Sequence, residues 1–448
     1  MRSMPLASLR SNEDCNQRLA DAWQLMQELY PICRSITGDG VRATLQAIGR
    51  RIPLTLTEVP SGTRVFDWEV PREWNIRAAW IKDSAGRAIV DFRNHTLHVM
   101  SYSVPVRAQM ELEELRSHLH TLPEHPDWIP YRTSYYREDW GFCLTHRQLQ
   151  QLPQDLYEVH IDSTLVPGNL TYAECRIPGE TDQEFLVFTH VCHPSLCNDN
   201  LSGIALATLA AVELGKELPH LSYRFVFAPG TIGTITWLAR NEERLAGVRH
   251  GLVVGLVGDR GPLTYKRSRR GHADIDRISE LVLGKLDAGA RCIDFSPYGY
   301  DERQLCSPGF DLPVGRLTRT PNSEYPEYHS SADGFDLLDR DAFEQSLRSF
   351  AAIVSLADRN AAYLNLNPKC EPLLGKRGLF RTVGGTDPGE FEHALLWVLN
   401  QSDGRHSLLD IAERSGLRFE LLAEAADALL AVELLQPAAM PCSAEARP

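Results

Sequence analysis

The feature that most restricts the fold of this chain is a regular alternation of strand-like and helix-like patterns, which begins after Pro153. Residues 184–190, 222–228 and 251–258 form short apolar runs, and each is followed by a segment with apolar residues at helical spacing. The helices predicted in this way are residues 201–216, 231–241 and 274–286. Such alternation is typical of a sheet with helices on both faces. We therefore predict an α/β fold with a mostly parallel sheet, completed by a strand at 312–317 and a helix at 341–357.

The residue patterns outside these segments are different, and they predict additional domains. At 448 residues the chain is too long for one hydrophobic core. Residues 61–149 contain short runs in which apolar and polar residues alternate, and Pro and Gly interrupt these runs. This pattern predicts an inserted β-rich, jelly-roll-like domain. It divides the α/β core into residues 1–60 and 150–365. Three helical patterns at 390–400, 407–414 and 419–433 resemble a winged-helix domain, which we place at residues 375–440.

The composition is that of a soluble globular protein, with 43% hydrophobic and 23% charged residues. The first twenty residues are polar, and the longest strongly apolar stretch, residues 251–257, is too short to cross a bilayer. Ten cysteines spread along the chain are too sparse for a disulfide-stapled secreted scaffold. We therefore expect a cytoplasmic protein without a membrane partner.

The charge argues against nucleic acid as a partner. Acidic residues outnumber basic ones 59 to 46, which gives a net charge of -13. Between Asp387 and Glu433, in the winged-helix segment, ten acidic residues face three arginines, a balance of about -7. A recognition helix that carries Glu420, Glu424 and Asp427 would repel phosphates. We expect this module to contact protein or to pack on the core.

The segment with the strongest chemical pattern is residues 188–203, where an apolar strand ends and a helix begins. Open α/β sheets bind ligands at such positions. His190 or His193 together with Asp199 would supply imidazole and carboxylate, the usual protein ligands of hydrolytic zinc. Taken alone, the segment fits equally well a loop histidine and an aspartate that caps the following helix.

Two distant segments favour the metal-site interpretation. Asp259 directly follows the apolar run at 252–257, and His329 follows the strand predicted at 312–317. Histidine and aspartate at the ends of several strands of one sheet are hard to explain by packing alone. The combination of strand-His, Asp-Asn-x-Ser-Gly from Asp199, strand-Asp and Tyr-His-x-x-x-Asp from Tyr328 resembles the co-catalytic zinc aminopeptidase family. It is most similar to an uncharacterised bacterial branch with an inserted β domain and a C-terminal winged helix.

This resemblance implies a zinc exopeptidase-like core and a specific set of roles. Asp199 would bridge two zinc ions, a histidine of the His190/His193 pair and Asp259 would bind one ion, and His329 would bind the other. Tyr328 would polarise the substrate carbonyl or stabilise the oxyanion. The first histidine stays open between two positions, because the usual acidic residue two places after His190 is Cys192 here.

A departure from the family follows the strand predicted at 222–228. Members carry a pair of glutamates there, one as general base and one as a ligand of the second zinc, whereas this chain reads Pro229-Gly230-Thr231. Loss of a general base typically costs about 10²–10⁴-fold in rate. Three alternatives remain open: Glu324 or Glu327 substitutes as a catalytic residue, the site holds one metal, or the domain binds without hydrolysing.

Each of two further patterns has both a purely structural and a functional interpretation. The basic run of Lys266, Arg267, Arg269, Arg270 and His272 suits a substrate carboxylate or phosphate, although charge runs more often face water. Cys192 and Cys197 bracket His193 and suit a thiolate zinc site, which normally needs a further thiolate or imidazole nearby. We favour the solvated loop in the first case and a site without thiolates in the second.

The sequence thus predicts a zinc-dependent hydrolase of amide bonds, either an aminopeptidase-like exopeptidase or a deacylase, with one or two zinc ions. Its expected partner is a small peptide or an amide-containing metabolite. An alternative is a catalytically degenerate metal-binding scaffold in a polysaccharide or secondary-metabolite pathway. A regulator that binds nucleic acid is disfavoured by the acidic C-terminal module. The β domain and the winged helix are candidate surfaces for a homo-oligomer or for a protein partner.

Overall fold

The computed structural model describes residues 4–10, 15–379 and 389–438. Its strands in chain order are β1 (Thr55–Pro60), β2 (Arg64–Val65), β3 (Trp68–Glu69), β4 (Glu73–Lys82), β5 (Ala88–Asp91), β6 (Val106–Glu111), β7 (Leu119–His120), β8 (Phe142–Cys143), β9 (Leu156–Val166), β10 (Asn169–Ile177), β11 (Glu184–His190), β12 (Ser222–Ala228), β13 (Val248–Val254), β14 (Thr264–Lys266), β15 (Arg291–Ile293), β16 (Val314–Thr318), β17 (Ala362–Asn365), β18 (Asp403–Ser407) and β19 (Leu435–Pro437).

The α-helices in chain order are α1 (Ala7–Arg10), α2 (Cys15–Leu29), α3 (Asp39–Gly49), α4 (Leu112–Leu115), α5 (His146–Gln150), α6 (Gly203–Leu214), α7 (Ile232–Asn241), α8 (Asp274–Leu286), α9 (Glu302–Leu305), α10 (Arg340–Arg359), α11 (Glu390–Gln401), α12 (Leu408–Ser415) and α13 (Phe419–Ala431). Short 3₁₀ turns lie at Thr96–His98, Arg116–His118, Glu242–Gly247 and Gly375–Arg377. Within the part of the chain that the structure describes, none of these helices is long and apolar enough to cross a bilayer.

The central sheet has eight strands in the order β1-β10-β12-β11-β13-β16-β14-β15. Strand β11 pairs in parallel with β12 and β13, and β13 pairs in parallel with β16, whereas β1, β10 and β14 join antiparallel. Every residue of β11 and β12 is buried. Strands covered on both faces show such continuous apolar runs, so the predicted α/β fold with a mostly parallel sheet is confirmed.

Most predicted elements of the core agree with the observed ones. Strands β11 and β12 and helix α8 have the predicted bounds. Helix α6 begins at Gly203 and not at residue 201, because the irregular turn Cys197–Ser202 comes first. The backbone of Asp199 and Asn200 in this turn departs from helical geometry, with φ of -109° and -147°. The turn therefore presents Asp199 at the end of β11 and not on the surface of a helix.

The inserted β-rich unit is built on a four-stranded antiparallel sheet of order β5-β4-β9-β6. Strand β9 lies beyond residue 149, the predicted end of the insertion, and pairs with β4 from Glu73↔Val166 to Lys82↔Glu158. Its residues alternate between buried and less buried, as expected for a strand with one face on a core. The adjacent β10 belongs to the central sheet, so the chain passes between the two sheets at residues 167–168.

The C-terminal module consists of α11, α12 and α13 with a small sheet of order β18-β17-β19. Strand β17 directly follows α10, so the module begins before residue 375, the predicted start. The reason is that β17 pairs with both β18 and β19, and this pairing is not visible locally. Residues 380–388 and 439–440, which belong to the predicted module, lie outside the described residues.

Candidate functional site

The site lies where the central parallel strands end. His190 is the last residue of β11, and Asp199 lies in the irregular turn between β11 and α6. His329 lies in the connection from β16 to α10. Because parallel strands deliver their carboxyl ends to one edge, residues far apart in sequence meet there.

The carboxylate of Asp199 is the centre of the cluster. Its Oδ1 lies 2.8 Å from His190 Nε2 and 3.1 Å from His193 Nδ1, and its Oδ2 lies 3.1 Å from His329 Nε2. One ligand atom each from His190, His193 and Asp199 lies within 4.8 Å of the others. The structure therefore brings together four of the five residues predicted as metal ligands. Both histidines of the ambiguous pair reach the carboxylate.

The unsatisfied nitrogen atoms of this cluster fit a metal better than a hydrogen-bond network. His193 Nδ1 and His329 Nε2 are buried and have no hydrogen-bond partner, although each lies 3.1 Å from an oxygen of Asp199. Buried polar atoms without a partner are costly, and such atoms in a native site call for an ion or water. Imidazole nitrogen and carboxylate oxygen are the ligands that zinc uses in hydrolytic sites.

The two cysteines beside His193 do not join this ligand group. Cys192 Sγ donates to the carbonyl oxygen of Gly230 at 3.6 Å. Burial raises the pKa of the Cys197 thiol well above its usual value, which disfavours a thiolate. The ligand set favoured by the structure is thus histidine and aspartate.

A buried carboxylate below the cluster fixes the turn that carries Asp199. Asp333 accepts hydrogen bonds from the backbone N–H groups of Asn198 and Asp199, at 2.6 and 3.0 Å. Burial raises the pKa of Asp333 to about 7. Asn200 continues the scaffold, because its side-chain amide donates to Thr189 Oγ1 and to the carbonyl oxygen of His190. Asp333 was visible in the sequence only as the last position of the Tyr-His-x-x-x-Asp pattern.

Asp259, the fifth predicted ligand, lies outside the ligand group. Its Oδ1 accepts from Thr320 Oγ1 at 2.6 Å and from the N–H of Gly261 at 2.7 Å. Its Oδ2 accepts from Asn198 Nδ2 at 2.9 Å and more weakly from the N–H of Thr320. Both carboxylate oxygens are therefore already occupied. What Asp259 contacts is Asn198, the neighbour of Asp199.

Tyr300 is a site residue that the sequence analysis missed. Its hydroxyl donates to Asp199 Oδ2 at 2.7 Å and lies 2.8 Å from the hydroxyl of Tyr328. Since its one proton goes to Asp199, the hydroxyl of Tyr328 must donate to Tyr300. The ring of Tyr300 stacks on His190 with the centroids 4.6 Å apart. The available signal was the run from Tyr298 to Glu302, an aromatic and acidic stretch in a connection of the α/β core.

The predicted catalytic residues occupy different positions. Tyr328 stacks on His329, with ring centroids 3.9 Å apart, and reaches the cluster through Tyr300. Glu324 is exposed and pairs with Arg291 at 3.2 Å. Glu327 is half-buried, and its backbone carbonyl accepts from Ser330. The catalytic role of these two glutamates stays a prediction.

Burial and mutual charge set the protonation of the cluster. Burial lowers the pKa of His190 to about 4, and it also lowers the pKa of His329. Although burial opposes both shifts, the pKa of Asp199 is held well below its usual value by the imidazoles, and that of His193 well above by Asp199. Asp199 is thus an anion, the form in which a carboxylate binds metal, whereas His193 must lose a proton before it can be a ligand.

The inserted unit forms one wall of the site. Tyr131 packs its ring edge-to-face against His193 and His329, at centroid distances of 5.3 and 5.1 Å. Its backbone N–H donates to the carbonyl oxygen of His329 at 2.8 Å. The side chain of His329 is 31% exposed and that of His193 is 11% exposed, whereas His190 and Asp199 are buried. The cluster is therefore reached from the side of His329.

The basic run after Asp259 does not form an anion-binding group in the structure. Lys266 pairs with Glu302, and Arg267 pairs with Glu280 and Asp294. Arg269 and Arg270 both pair with Asp311. These cations are neutralised by acidic side chains, so they do not offer a receptor for a substrate anion.

Comparisons with known proteins agree with this architecture. A family described as "Domain of unknown function (DUF4910)" matches residues 23–360, and a winged helix-turn-helix family matches residues 361–437. A protein of Clostridium acetobutylicum is 52% identical over 387 residues, which are 86% of this chain and 89% of that protein. Its name provisionally assigns it to polysaccharide biosynthesis and gives it an aminopeptidase-like domain.

Solved structures show the same fold. A crystal structure from Clostridium acetobutylicum, described provisionally as a peptidase, has a TM-score of 0.89 at 49% identity and covers 95% of this chain and 98% of its own. A zinc aminopeptidase of Bacillus subtilis has a TM-score of 0.56 at 11% identity and covers 79% of this chain and 95% of its own. The predicted resemblance to zinc aminopeptidases and the C-terminal winged helix are confirmed.

Proposed function

The chain belongs to the family described as "Domain of unknown function (DUF4910)", and we propose that it is a zinc-dependent hydrolase of amide bonds. The observation that carries this proposal is the cluster around Asp199, with buried imidazole nitrogens that have no hydrogen-bond partner. The zinc aminopeptidase fold supports it. Zinc bound there would polarise the carbonyl oxygen of an amide and make a water molecule a stronger acid.

We propose one zinc ion, held by His190, His193 and Asp199. Three protein ligands leave a position open for substrate or water, which is the arrangement of catalytic zinc sites. On the other oxygen of Asp199 lie His329 and the hydroxyl of Tyr300. The described residues form no second group of three ligands there, because Asp259 is engaged by Thr320, Gly261 and Asn198. A second ion would have to use His329.

Tyr300 and Tyr328 are the residues that we assign to the substrate oxygen. Burial raises the pKa of both phenols, so both keep their protons. Rotation of the Tyr300 hydroxyl away from Asp199 would direct a donor to an oxygen beside the carboxylate. A hydrogen-bond donor at this position would stabilise the negative charge that develops on a carbonyl oxygen.

The substrate class proposed is a small peptide or an amide-containing metabolite, cleaved by an exopeptidase or a deacylase. A second candidate function is a metal-binding scaffold in a biosynthetic pathway. This second candidate is favoured by Pro229-Gly230-Thr231, where the zinc aminopeptidases that this chain resembles have their glutamate pair. The name of the Clostridium relative also favours it. The predicted cytoplasmic location and the absence of a nucleic-acid partner stay predictions.

A combined metal and activity experiment tests the proposal. The protein is purified without chelator, its zinc content is measured, and hydrolysis is assayed on aminoacyl anilides and N-acyl amino acids. We expect one zinc per chain and hydrolysis of at least one substrate class. Asp199→Ala should lose both, because it removes the one carboxylate among the proposed ligands, which also contacts all three histidines. Asp162→Asn, a surface carboxylate paired with Arg77, is the matched control and should retain both.

The outcomes separate the two candidate functions. Zinc at one ion per chain without hydrolysis of any substrate would favour the scaffold. Protein without zinc, even after dialysis against zinc salts, would overturn the metal site and both candidates with it. Two zinc ions per chain would contradict the assignment of a single ion and would require His329 as a ligand.

A further inference from the structure

We infer that Asp301 is the carboxylate that accepts a proton during hydrolysis, in place of the two glutamates that this chain lacks. The inference rests on the proposed hydrolase function and extends it to a residue outside the metal cluster. It is carried by the space beside Gly230, by the orientation of the Asp301 side chain and by its one free oxygen.

The first observation is that Asp301 fills the space into which a side chain at position 230 would project. A Cβ atom at Gly230 would lie 3.3 Å from Asp301 Oδ2 and 3.4 Å from Asp301 Oδ1. The same Cβ would lie 3.3 Å from the Cβ of His190. Gly230 follows β12 at the point where the resembling family has its glutamates. A carboxylate is therefore present where a side chain at position 230 would project, but it comes from another part of the chain.

The second observation is that the Asp301 side chain is not used where its position would normally use it. Asp301 is the residue before α9, a position at which aspartate usually accepts a hydrogen bond from the helix N–H groups. Its side chain makes no such bond and turns instead to the hydroxyl of Thr234, which donates to Oδ1. Thr234 lies on α7, the helix that begins just after Gly230. The carboxylate is thus held against α7, beside Gly230, and away from its own helix.

The third observation is the unused capacity of this carboxylate. Asp301 is fully buried, and its Oδ2 has no hydrogen-bond partner. By contrast, Asp199, Asp259 and Asp333 each have both oxygens engaged. Among these buried carboxylates, Asp301 alone keeps an acceptor free for a proton. Burial raises its pKa to about 7, which suits a group that exchanges protons near neutral pH.

The segment that carries Asp301 also carries Tyr300, so both groups are delivered together. Glu302 Oε2 accepts from the N–H of Tyr300 at 3.1 Å, and Glu302 Oε1 pairs with the buried Lys266 at 2.9 Å. Lys266 Nζ also donates to the carbonyl oxygen of Tyr298 at 2.6 Å. These bonds fix the two residues relative to β14. The connection that places the phenol of Tyr300 on Asp199 therefore also places the carboxylate of Asp301 beside Gly230.

In the step that we assign to Asp301, one O–H bond of a water molecule breaks and its proton moves to Asp301 Oδ2. The water oxygen forms a bond with the amide carbon as the π bond of the carbonyl breaks and its electron pair moves to the carbonyl oxygen; this C=O bond re-forms when the amine leaves. The proton then passes to the amide nitrogen as the C–N bond breaks, and the products are a carboxylic acid and an amine. Asp301 ends the reaction in its starting state, and no further reactant is needed.

Asp301→Asn tests the inference, because it keeps the size of the side chain and removes its basicity. We expect kcat to fall about 10²–10⁴-fold, with KM changed by no more than a few fold. Zinc content and zinc affinity, measured by competition with a chelator, should match the wild type, since Asp301 is not a ligand. Asp162→Asn should match the wild type in every measurement.

A second variant keeps the test decisive if Asp301→Asn does not fold. Thr234→Val preserves shape but removes the hydroxyl that donates to Asp301 and stabilises its ionised form. The low-pH limb of the kcat/KM profile should therefore move to higher pH, and zinc affinity should stay unchanged. A limb that does not move would argue against proton acceptance by Asp301.

The outcomes distinguish this inference from the proposed function. A wild-type protein that hydrolyses no substrate overturns both. An active wild type with an equally active Asp301→Asn variant overturns the role of Asp301 and leaves the hydrolase intact. Loss of zinc from Asp301→Asn would show that this carboxylate supports the metal and would overturn its role as proton acceptor.

Discussion

Single side chains around the cluster decide how well Asp199 is held. The turn at Cys197–Ser202 has irregular backbone geometry, and it is fixed by side chains and not by helical hydrogen bonds alone. Asp333 binds two consecutive N–H groups of this turn, and Asp259 binds the side chain of Asn198. Residues behind the ligands of a metal orient those ligands and tune their affinity. Asp333 and Asp259 have this position here.

We expect Asp333→Asn to weaken zinc binding about 10–100-fold, because an amide replaces one of the two acceptors that hold Asn198 and Asp199. Zinc affinity would be measured by competition with a chromogenic chelator. Asp162→Asn should show the affinity of the wild type. An unchanged affinity in Asp333→Asn would mean that the turn keeps its geometry without this carboxylate.

The ionisation of Asp301 should be visible in stability as well as in activity. Its pKa is raised by burial from 3.8 to about 7, so the folded protein holds this proton more tightly than the unfolded chain. The resulting stabilisation is complete below pH 4 or so and is lost as the pH rises to about 7. Relative to Asp301→Asn, the unfolding free energy of the wild type should fall by roughly 1.4 kcal/mol per pH unit in that window. Urea unfolding of both metal-free proteins at several pH values measures this difference, and a constant difference would contradict the shift.

Among the secondary elements, the short strand β14, which lies between β16 and the edge strand β15, has a direct influence on the site. It pairs antiparallel with β16 and presents Lys266 to the connection that carries Tyr300 and Asp301. Lys266 and Glu302 are both buried. A buried ion pair is weak evidence for net stability, yet removal of one partner leaves an uncompensated charge. The pair therefore fixes the connection more than it adds free energy.

Lys266→Met should lower the free energy of unfolding by no more than about 3–5 kcal/mol, because it leaves the buried carboxylate of Glu302 with only Arg316, whose Nη1 lies 4.0 Å from Glu302 Oε1. The double variant Lys266→Met/Glu302→Leu should recover only part of this loss, because Arg316 and the N–H of Tyr300 also lose Glu302 as a partner. Urea unfolding of the wild type, both single variants and the double variant gives the coupling energy between the two positions. Additive losses would show that the two side chains do not act as a pair.

For the whole molecule, the C-terminal module is part of the same body as the α/β core. Arg359 pairs with Asp427 at 2.9 Å in a buried contact, Arg277 pairs with Asp410 and Glu413, and Arg10 pairs with Glu420. One hydrophobic cluster includes Phe343 of the core and Leu422 of α13. The acidic charge of the module is thus partly neutralised by arginines of the core. This agrees with the expectation that the module packs on the core.

We expect no saturable binding of duplex DNA by the full chain at about 150 mM salt. The helix α13 carries Glu420, Glu424 and Asp427, and two of these pair with core arginines. Phosphates would meet the wrong sign of charge. Fluorescence anisotropy with a labelled duplex of mixed sequence measures this. Saturable binding, with a logarithm of the binding constant that falls linearly with the logarithm of the salt concentration, would contradict the prediction.

The sequence by itself determined the central strands, most helices and the positions of the histidines and Asp199, because apolar periodicity and strand ends are local properties. It did not determine which carboxylates point into the site. The orientation of Asp259 depends on Thr320 and Asn198, and the contacts of Tyr300 and Asp301 arise in a connection without a regular apolar period. The pairing of β9 with β4 and the pairing of β17 with β19 likewise depend on strands that are distant in the sequence. Side-chain direction in a connection is set by long-range contacts, so only the tertiary structure decided it.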